Sequence, residues 1–337
     1  MSFMRRARRL CAWVAVAFML LMPLCARADL TARFIDVGQG DACLITCDGE
    51  SMLLDGGTAD NSSMLVSLLD SLGIVELKYM INSHPHDDHV GGLCGPLNSV
   101  DVDAAYTSTT DYDQNYFISF KKYVDKQGLT LKTLSAGDTL SLGGADIYVL
   151  SPISDLDDLN ENSIVLRIEY GSTSMLFTGD AGENAERALL DSGEELDCDL
   201  LKVGHHGAAS SSCADFLSAV SPEWAVISVG KDNDFGHPTD AALERLTDAG
   251  ASILRTDENG TVTVVSDGKT LSVTAERNFD SISTDTATES GYIGNKNTKK
   301  FHRPTCKTLP AEKNRVALAT REEAIEQGYD PCGNCKP

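Results

Sequence analysis

The 337-residue chain predicts a layered α/β sandwich followed by a small, separately built C-terminal module. Three observations carry that expectation. Near the N-terminal end, short runs alternate apolar and polar residues between Gly- and Asp-containing turns, as the strands of a meander do. Through the second half, strand-like and helix-like runs alternate, which lays helices against the faces of sheets. Between residues 276 and 290, Ser, Thr and Asp replace apolar periodicity, and beyond them the charge changes sign.

Residues 1–28 read as a secretory signal. Arg5, Arg6, Arg8 and Arg9 form a basic n-region, Leu10 to Leu24 an apolar stretch, and Ala26-Arg27-Ala28 the small residues a signal peptidase accepts, placing cleavage before Asp29. An uncleaved anchor is the alternative, although the apolar stretch falls short of the roughly 20 residues of a spanning helix. The expectation is a secreted protein with no transmembrane domain after cleavage, free or associated with the envelope.

Residues 29–275 supply the sandwich. LTARFIDV, ACLITC and SMLLD are its first strands, SSMLVSLLDSLG is a helix closed by Gly73, and LKYMINS is the next strand. NSIVLRIEY and TSMLFTGD are strands joined by a Gly-Ser turn. After them come the helix AGENAERALLDSG, the strand DLLKV, the helix SSSCADFLSAV, the strand EWAVISV and the helix TDAALERLTDAG. Residues 276–290 are a linker by composition, and 291–337 a compact basic module.

Charge separates these parts. The chain carries −22 at pH 7, and its first 28 residues hold five arginines and no acids, so the remainder stands at −27. Residues 291–337 hold nine Lys/Arg against five Asp/Glu, which leaves −31 on residues 29–290. Such a field keeps an exported domain soluble and repels polyanions, so a nucleic-acid substrate must be drawn by metals and by the basic tail. Of ten cysteines, two precede residue 29. Cys43, Cys47, Cys94, Cys198 and Cys213 show no interpretable spacing and read as buried thiols, whereas Cys306, Cys332 and Cys335 cluster.

His84, His86, Asp88 and His89 fall within six residues at the end of the strand LKYMINS. Four metal-ligating side chains so close together are hard to reconcile with core packing. A loop leaving a strand end can send His84 and His86 one way and Asp88 and His89 another, which suits two metals. Asp180 ends the apolar strand in LFTGD, where a carboxylate can bridge two cations; capping the helix AGENAERALL is the alternative. His205 and His206 lie between glycines that permit close approach of backbone and substrate. His237 in FGHPT is a candidate for the rim of the site, with a structural role as the alternative. No G-x-S-x-G elbow occurs, which disfavours a serine nucleophile.

In this order, FIDVGQGDACLI, LLDGG, SHPHDDHVGG, NSIVLRIEYGSTSMLFTGD, LLKVGHHGAASSS, AVISVGKDNDFGHPT and ILRTDENG resemble the metallo-β-lactamase-like domain of ComEC-type competence proteins, over roughly residues 30–275. Secreted phosphorylcholine esterases of the same fold share the histidine loop and the GHHG element. The resemblance implies a four-layer αβ/βα metallo-β-lactamase sandwich. It implies that His84 and His86 bind one metal, that Asp88, His89 and His206 bind a second, and that Asp180 bridges them. Catalytic roles then fall on Asp88, on His205 facing the phosphoryl group as hydrogen-bond donor or acid, and on His237. Asp55 in LLDGG matches a buried aspartate that steadies the histidine loop, and Asp36, Gln39 and Asp41 match a turn expected at the site's edge. This chain departs from many members of the wider fold in having no histidine between His89 and His205; Asn162 stands roughly where the missing ligand would be. Water would complete the first metal's shell, and manganese would suit the site as readily as zinc. Two cations so placed lower the pKa of water and neutralise charge developing on phosphoryl oxygens.

In the C-terminal module, His302-x3-Cys306 is followed by Cys332-x2-Cys335. Two close ligand pairs suit a structural tetrahedral zinc, the staple that so small a fold needs; a Cys332–Cys335 disulfide is the alternative. The module resembles the metal-binding domain of the Ada DNA-repair methyltransferases over nearly all its length. Where that family carries its methyl-accepting cysteine, in a pattern like F-C-R-P-x-C, this chain has His302 in Phe301-His302-Arg303-Pro304-Thr305-Cys306, so phosphotriester repair is not expected. Lys296, Lys299, Lys300, Arg303 and Lys307 remain as a basic surface for DNA contact, with solubility or cell-wall attachment as alternatives.

Together these readings predict a secreted hydrolase dependent on two divalent metals, zinc or manganese, with one structural zinc in its tail. The expected reaction is phosphodiester hydrolysis on DNA. A phosphoesterase of phosphorylcholine, teichoic acid or other envelope phosphoesters is the second reading, and a non-catalytic DNA- or envelope-binding protein the third. β-Lactam cleavage is disfavoured, because the resemblance is to phosphoester-type relatives.

Overall fold

The computed structural model describes residues 29–153, 156–278, 282–283, 292–303, 306, 308–318, 321–333 and 335. The signal expected at residues 1–28 and most of the expected linker lie outside the described residues. No described helix is long and apolar enough to cross a membrane.

The first half runs β1 (Leu30–Phe34), β2 (Cys43–Cys47), β3 (Glu50–Leu54), α1 (Ser62–Ser71), β4 (Glu76–Asn82), α2 (Asp87–Val90), α3 (Cys94–Leu97), β5 (Asp101–Thr107), α4 (Asn115–Lys126) and β6 (Lys132–Thr133). Next come β7 (Thr139–Leu142), β8 (Ala145–Ser151), β9 (Val165–Tyr170), β10 (Thr173–Phe177), α5 (Glu183–Ser192), β11 (Leu200–Lys202), α6 (Ala214–Val220) and β12 (Trp224–Ile227). The domain closes with α7 (Asp240–Ala249), β13 (Ser252–Arg255), α8 (Thr256–Asn259), β14 (Val262–Ser266), β15 (Leu271–Ala275) and β16 (Ile282–Ser283). One sheet has the order β16-β15-β14-β1-β2-β3-β4-β5-β6, the other β13-β12-β11-β10-β9-β8-β7. β16 falls within the expected linker and adds an edge to the first sheet by pairing with Ser272 and Val273.

Alternation along the strands decides which side chain enters which layer. Phe34, Ile45, Met52 and Ile81 of the first sheet meet Ile147, Leu166, Met175 and Phe177 of the second at the centre, where the Phe34 and Phe177 rings stack at 5.7 Å. Their strand neighbours Leu44, Leu53 and Met80 turn the other way, onto Leu65 and Leu69 of α1 and Phe117, Phe120 and Val124 of α4. On the opposite face Leu176, Leu201 and Ile227 meet Ala185 and Leu189 of α5, Phe216 and Val220 of α6 and Leu246 of α7. Burying one such Leu or Phe side chain contributes about 1.5–3 kcal/mol. Two sheets, each backed by helices, make the four layers that the sequence predicts.

Within the sheets, β3, β4 and β5 are parallel, as are β10, β11 and β12. The loops after β4, β10, β11 and β12 converge with the turn that follows β1. The C-terminal module is a separate four-stranded sheet of Arg315–Leu318, Tyr292–Asn295, Lys300–His302 and Asp330–Pro331, in that order, around Phe301, Leu318, Ala324 and Tyr329.

Candidate metal centre

Asp55, just after β3, organises the histidine loop. Its Oδ1 accepts from Ser83 N (2.7 Å) and Asn82 Nδ2 (3.1 Å), and its Oδ2 accepts from Ser83 Oγ (2.6 Å) and faces His89 Nδ1 at 3.0 Å. These partners place the His89 proton on Nδ1 and turn Nε2 toward the cluster, an assignment made from the bonding pattern. Asp55 itself takes a left-handed backbone (φ 56°), which aspartate tolerates better than most residues.

The turn after β1 packs onto the same loop. Asp41 N donates to Asp88 O (3.0 Å), and a Cβ on Gly40 would stand 2.2 Å from that oxygen, so glycine is required there. Asp41 lies deeper than the edge position expected of it: it is buried, with Oδ1 3.3 Å from His206 Nδ1.

β10 delivers Asp180 to the middle of the site. Its Oδ1 is 3.3 Å from His89 Nε2, while Oδ2 is 3.6 Å from His206 Nε2 and 3.8 Å from both His84 Nε2 and His205 Nε2. α5 is capped by Gly182, so Asp180 is not the helix cap. β11 leads into Gly204–Gly207, where His205 (φ 47°) and His206 (φ 53°) are both left-handed. That conformation costs a non-glycine residue about 1–3 kcal/mol, the kind of strain that gathers at functional sites. His206 Nδ1 donates to Ser228 O (2.9 Å), leaving Nε2 3.3 Å from Asp88 Oδ2. His84 Nδ1 meets Ser83 Oγ at 3.1 Å, and its Nε2 lies 3.0 Å from His86 Nδ1.

The residues fit a cation cluster. His89 Nε2, His206 Nε2 and Asp180 Oδ1 are buried without a hydrogen bond of acceptable geometry, a costly state for polar atoms unless an ion satisfies them. They converge: ligand atoms of His84, His89 and Asp180 lie within 4.8 Å of one another, as do those of Asp88, His89 and His206. The field agrees. Burial would lower the two rings, yet Asp180, Asp55 and Asp88 hold His89 well above its usual value, and Asp180, Asp41 and Asp88 push His206 up to about 10. Burial would likewise raise Asp180 and Asp88, but His89 and His206 hold both below the usual carboxylate range. Positive charge is what this pocket stabilises.

The other expected residues fall into place unevenly. The His237 ring, half-buried, stands 5.5 Å from His205 and 6.5 Å from His206, and burial with those two neighbours lowers its pKa. Gln39 Oε1 accepts from Gly230 N (3.1 Å), and Asp36 pairs with Arg277 (2.8 Å), so both brace the rim. Asn162 is engaged with its own loop through Leu156 N (2.9 Å) and Leu156 O (2.5 Å). Lys202 was not foreseen: it lies buried under the cluster with Nζ 2.7 Å from Asp41 Oδ2, and its only sequence signal is a lysine closing the apolar run DLLKV.

In the module, the ligand atoms of His302, Cys306, Cys332 and Cys335 lie within 4.8 Å of one another. No disulfide joins any of the eight described cysteines. Burial and the two neighbouring thiols push Cys335 up to about 12, so a cation is needed to hold it as thiolate. Lys296 is exposed, Lys299 covers the Tyr329 ring at 4.5 Å, Lys300 is 3.4 Å from Asp330, and Arg303 donates to Ser221 Oγ (3.0 Å); Lys307 lies outside the described residues.

Residues 282–337 match the family model for the metal binding domain of Ada. ComE operon protein 3 of Bacillus subtilis (strain 168) is 29% identical over 266 residues, 73% of this chain and 34% of that protein. Competence protein ComA of Neisseria gonorrhoeae is 32% identical over 229 residues, 67% of this chain and 30% of that protein. The chain thus spans about a third of the length of these curated relatives. Among solved structures, the metallo-beta-lactamase fold protein YhfI from Bacillus subtilis is 16% identical, with a TM-score of 0.48, covering 67% of this chain and 96% of that one. Residues 35–231 match the family model for the metallo-beta-lactamase superfamily, more than half of the sequence, and the chain belongs to that superfamily.

Proposed function

We propose that this protein is an exported phosphodiesterase that hydrolyses DNA with two divalent cations, zinc or manganese, and carries one structural zinc in its tail. The observation behind this reading is the convergence of His84, Asp88, His89, Asp180 and His206 on one volume that holds unpartnered ligand atoms, with His86 beside it against His84 Nε2 at 3.0 Å. The name of one relative, Competence protein ComA of Neisseria gonorrhoeae, supports DNA as substrate.

His84 and His86 would hold one cation and Asp88, His89 and His206 the other, with Asp180 between them. When bound, such cations act as Lewis acids that ease deprotonation of water and neutralise phosphoryl charge. Asp55 fixes the orientation of His89 through Nδ1. His205, part-exposed beside Asp180, would donate a hydrogen bond or proton to a phosphoryl oxygen. His237, held neutral beside it, lines the approach. The basic tail supplies the attraction for phosphate that an acidic sandwich lacks.

The test is hydrolysis of linear DNA and of a chromogenic phosphodiester by the mature protein with manganese or zinc, beside a His86→Ala control. Cleavage of both substrates that disappears in the variant is expected. Cleavage of the small diester alone would transfer the reading to envelope phosphoesters, which the −31 charge on residues 29–290 favours. Silence on both would leave a binding protein. Deleting residues 291–337 is expected to weaken DNA affinity while small-diester hydrolysis persists, and equal loss of both would remove the tethering role.

A further inference from the structure

The loop between β12 and α7 presents an apolar ring that the core does not use. Phe235 is 67% exposed, yet its loop is tightly held. Asn233 Oδ1 accepts from Phe235 N and His237 N, each at 3.1 Å, and its Nδ2 donates to Gly230 O (2.9 Å) and His237 O (2.6 Å). One carboxamide therefore closes the loop on both sides of the phenyl ring. That ring lies against His237 at 5.9 Å, with planes 24° from parallel. His237 is 5.5 Å from His205, whose Nε2 is 3.8 Å from Asp180. A continuous series of rings leads from solvent to the cluster.

Resting on the phosphodiesterase reading, we propose that Phe235, backed by His237, is an aromatic subsite on which the nucleobase beside the scissile phosphate stacks, so that the substrate is single-stranded DNA. A base paired inside a duplex keeps both faces in the stack, whereas an unpaired base can lay one against Phe235. Stacking is tolerant of base identity and independent of charge. That matters here, because the net −31 of residues 29–290 opposes binding through phosphates, and Phe235 sits among exposed Asp232 and Asp234 with Lys231 as the loop's one cation. A rigid, uncharged contact is the form of affinity that this surface can offer.

The experiment compares kcat/KM of the mature, manganese-loaded protein on a single-stranded oligothymidylate and on an abasic oligomer of equal length. The wild type is expected to prefer the base-bearing strand by about tenfold, the effect of one stacked base. Phe235→Ala should bring the ratio close to one, and Phe235→Trp should restore it. A preference that survives in Phe235→Ala, or a wild type that cleaves both strands equally, overturns the subsite while leaving the phosphodiesterase reading intact. A wild type inactive on both strands overturns the two together.

Discussion

Lys202 Nζ stands 2.7 Å from Asp41 Oδ2 beneath the histidine–aspartate cluster, with the two side chains only 5% and 7% exposed. The pair ties the end of β11, in the second sheet, to the turn after β1, in the first. Nζ also donates to Val203 O (2.8 Å), and Asp41 turns its other oxygen to His206. Burial would raise Asp41, but Lys202 and then His206 keep it below its usual value. Removing one partner leaves an uncompensated buried charge. Lys202→Met is therefore expected to lower the unfolding free energy by about 3–5 kcal/mol. The Asp41→Asn/Lys202→Met double variant should recover much of that loss in urea denaturation. Costs that simply add would show that the two groups are not coupled.

Asp55 is the better target for metal affinity. It accepts bonds from Ser83 and Asn82 and faces His89 Nδ1, so it sets both the path of the loop and the ring orientation of a ligand. Asn tolerates the same left-handed backbone, which makes Asp55→Asn a conservative change. Competitive chelator titration is expected to show metal affinity reduced about 10–100-fold. Unchanged affinity would mean that His89 keeps its orientation without the carboxylate.

Glu186 on α5 offers a test of pH dependence away from the cluster. Its buried carboxylate accepts from Ser212 N and Cys213 N (2.8 Å), yet burial wins over these bonds and over Arg245, raising its pKa above the ordinary 4.5. A carboxyl raised in the folded state contributes stability that is full below its unfolded pKa and lost as pH rises through the folded value. Glu186→Gln lacks that loss. Melting curves from pH 4 to 7 should show the variant gaining on the wild type as pH rises, and a constant gap would contradict the assignment.

The elements legible in the sequence are those whose burial is one-sided or complete. β1 to β4, α1 and α5 to α7 follow periodic runs bounded by Gly, Asp or Ser, since each must put alternate or every third-to-fourth residue into a layer. α4 was missed although Phe117, Phe120 and Val124 recur at helical spacing. Its cap, Gln114, makes no side-chain bond to the first turn, and its Tyr, Phe, Ile and Val residues have weak helix propensity, so no start signal marks it. At the site, the histidine loop stands out without the fold because its candidate ligands are neighbours in the chain. Lys202 needs the fold: only the meeting of β11 with the β1 turn shows that it is buried against Asp41. Phe235 likewise reads as one apolar residue in a Gly- and Asp-rich loop until Asn233 is seen closing the backbone around it.

The C-terminal module should stand or fall with its metal. Among the described residues its buried apolar set is Phe301, Leu318, Ala324 and Tyr329, with Tyr292 and Val316 packed against it, and folds of about 50 residues usually need a staple besides such a core. The ligand atoms of His302, Cys306, Cys332 and Cys335 lie where a tetrahedral zinc would join the strand Lys300–His302 to the end of the chain. Cys332→Ser is expected to remove about one equivalent of zinc and to expose residues beyond 290 to protease, while the sandwich still melts cooperatively. His302→Cys should retain the metal, since four thiolates also make a stable zinc site. Equal zinc content in wild type and Cys332→Ser would place the bound metal elsewhere, and a protease-resistant tail in the metal-depleted variant would show that the module's apolar core suffices on its own.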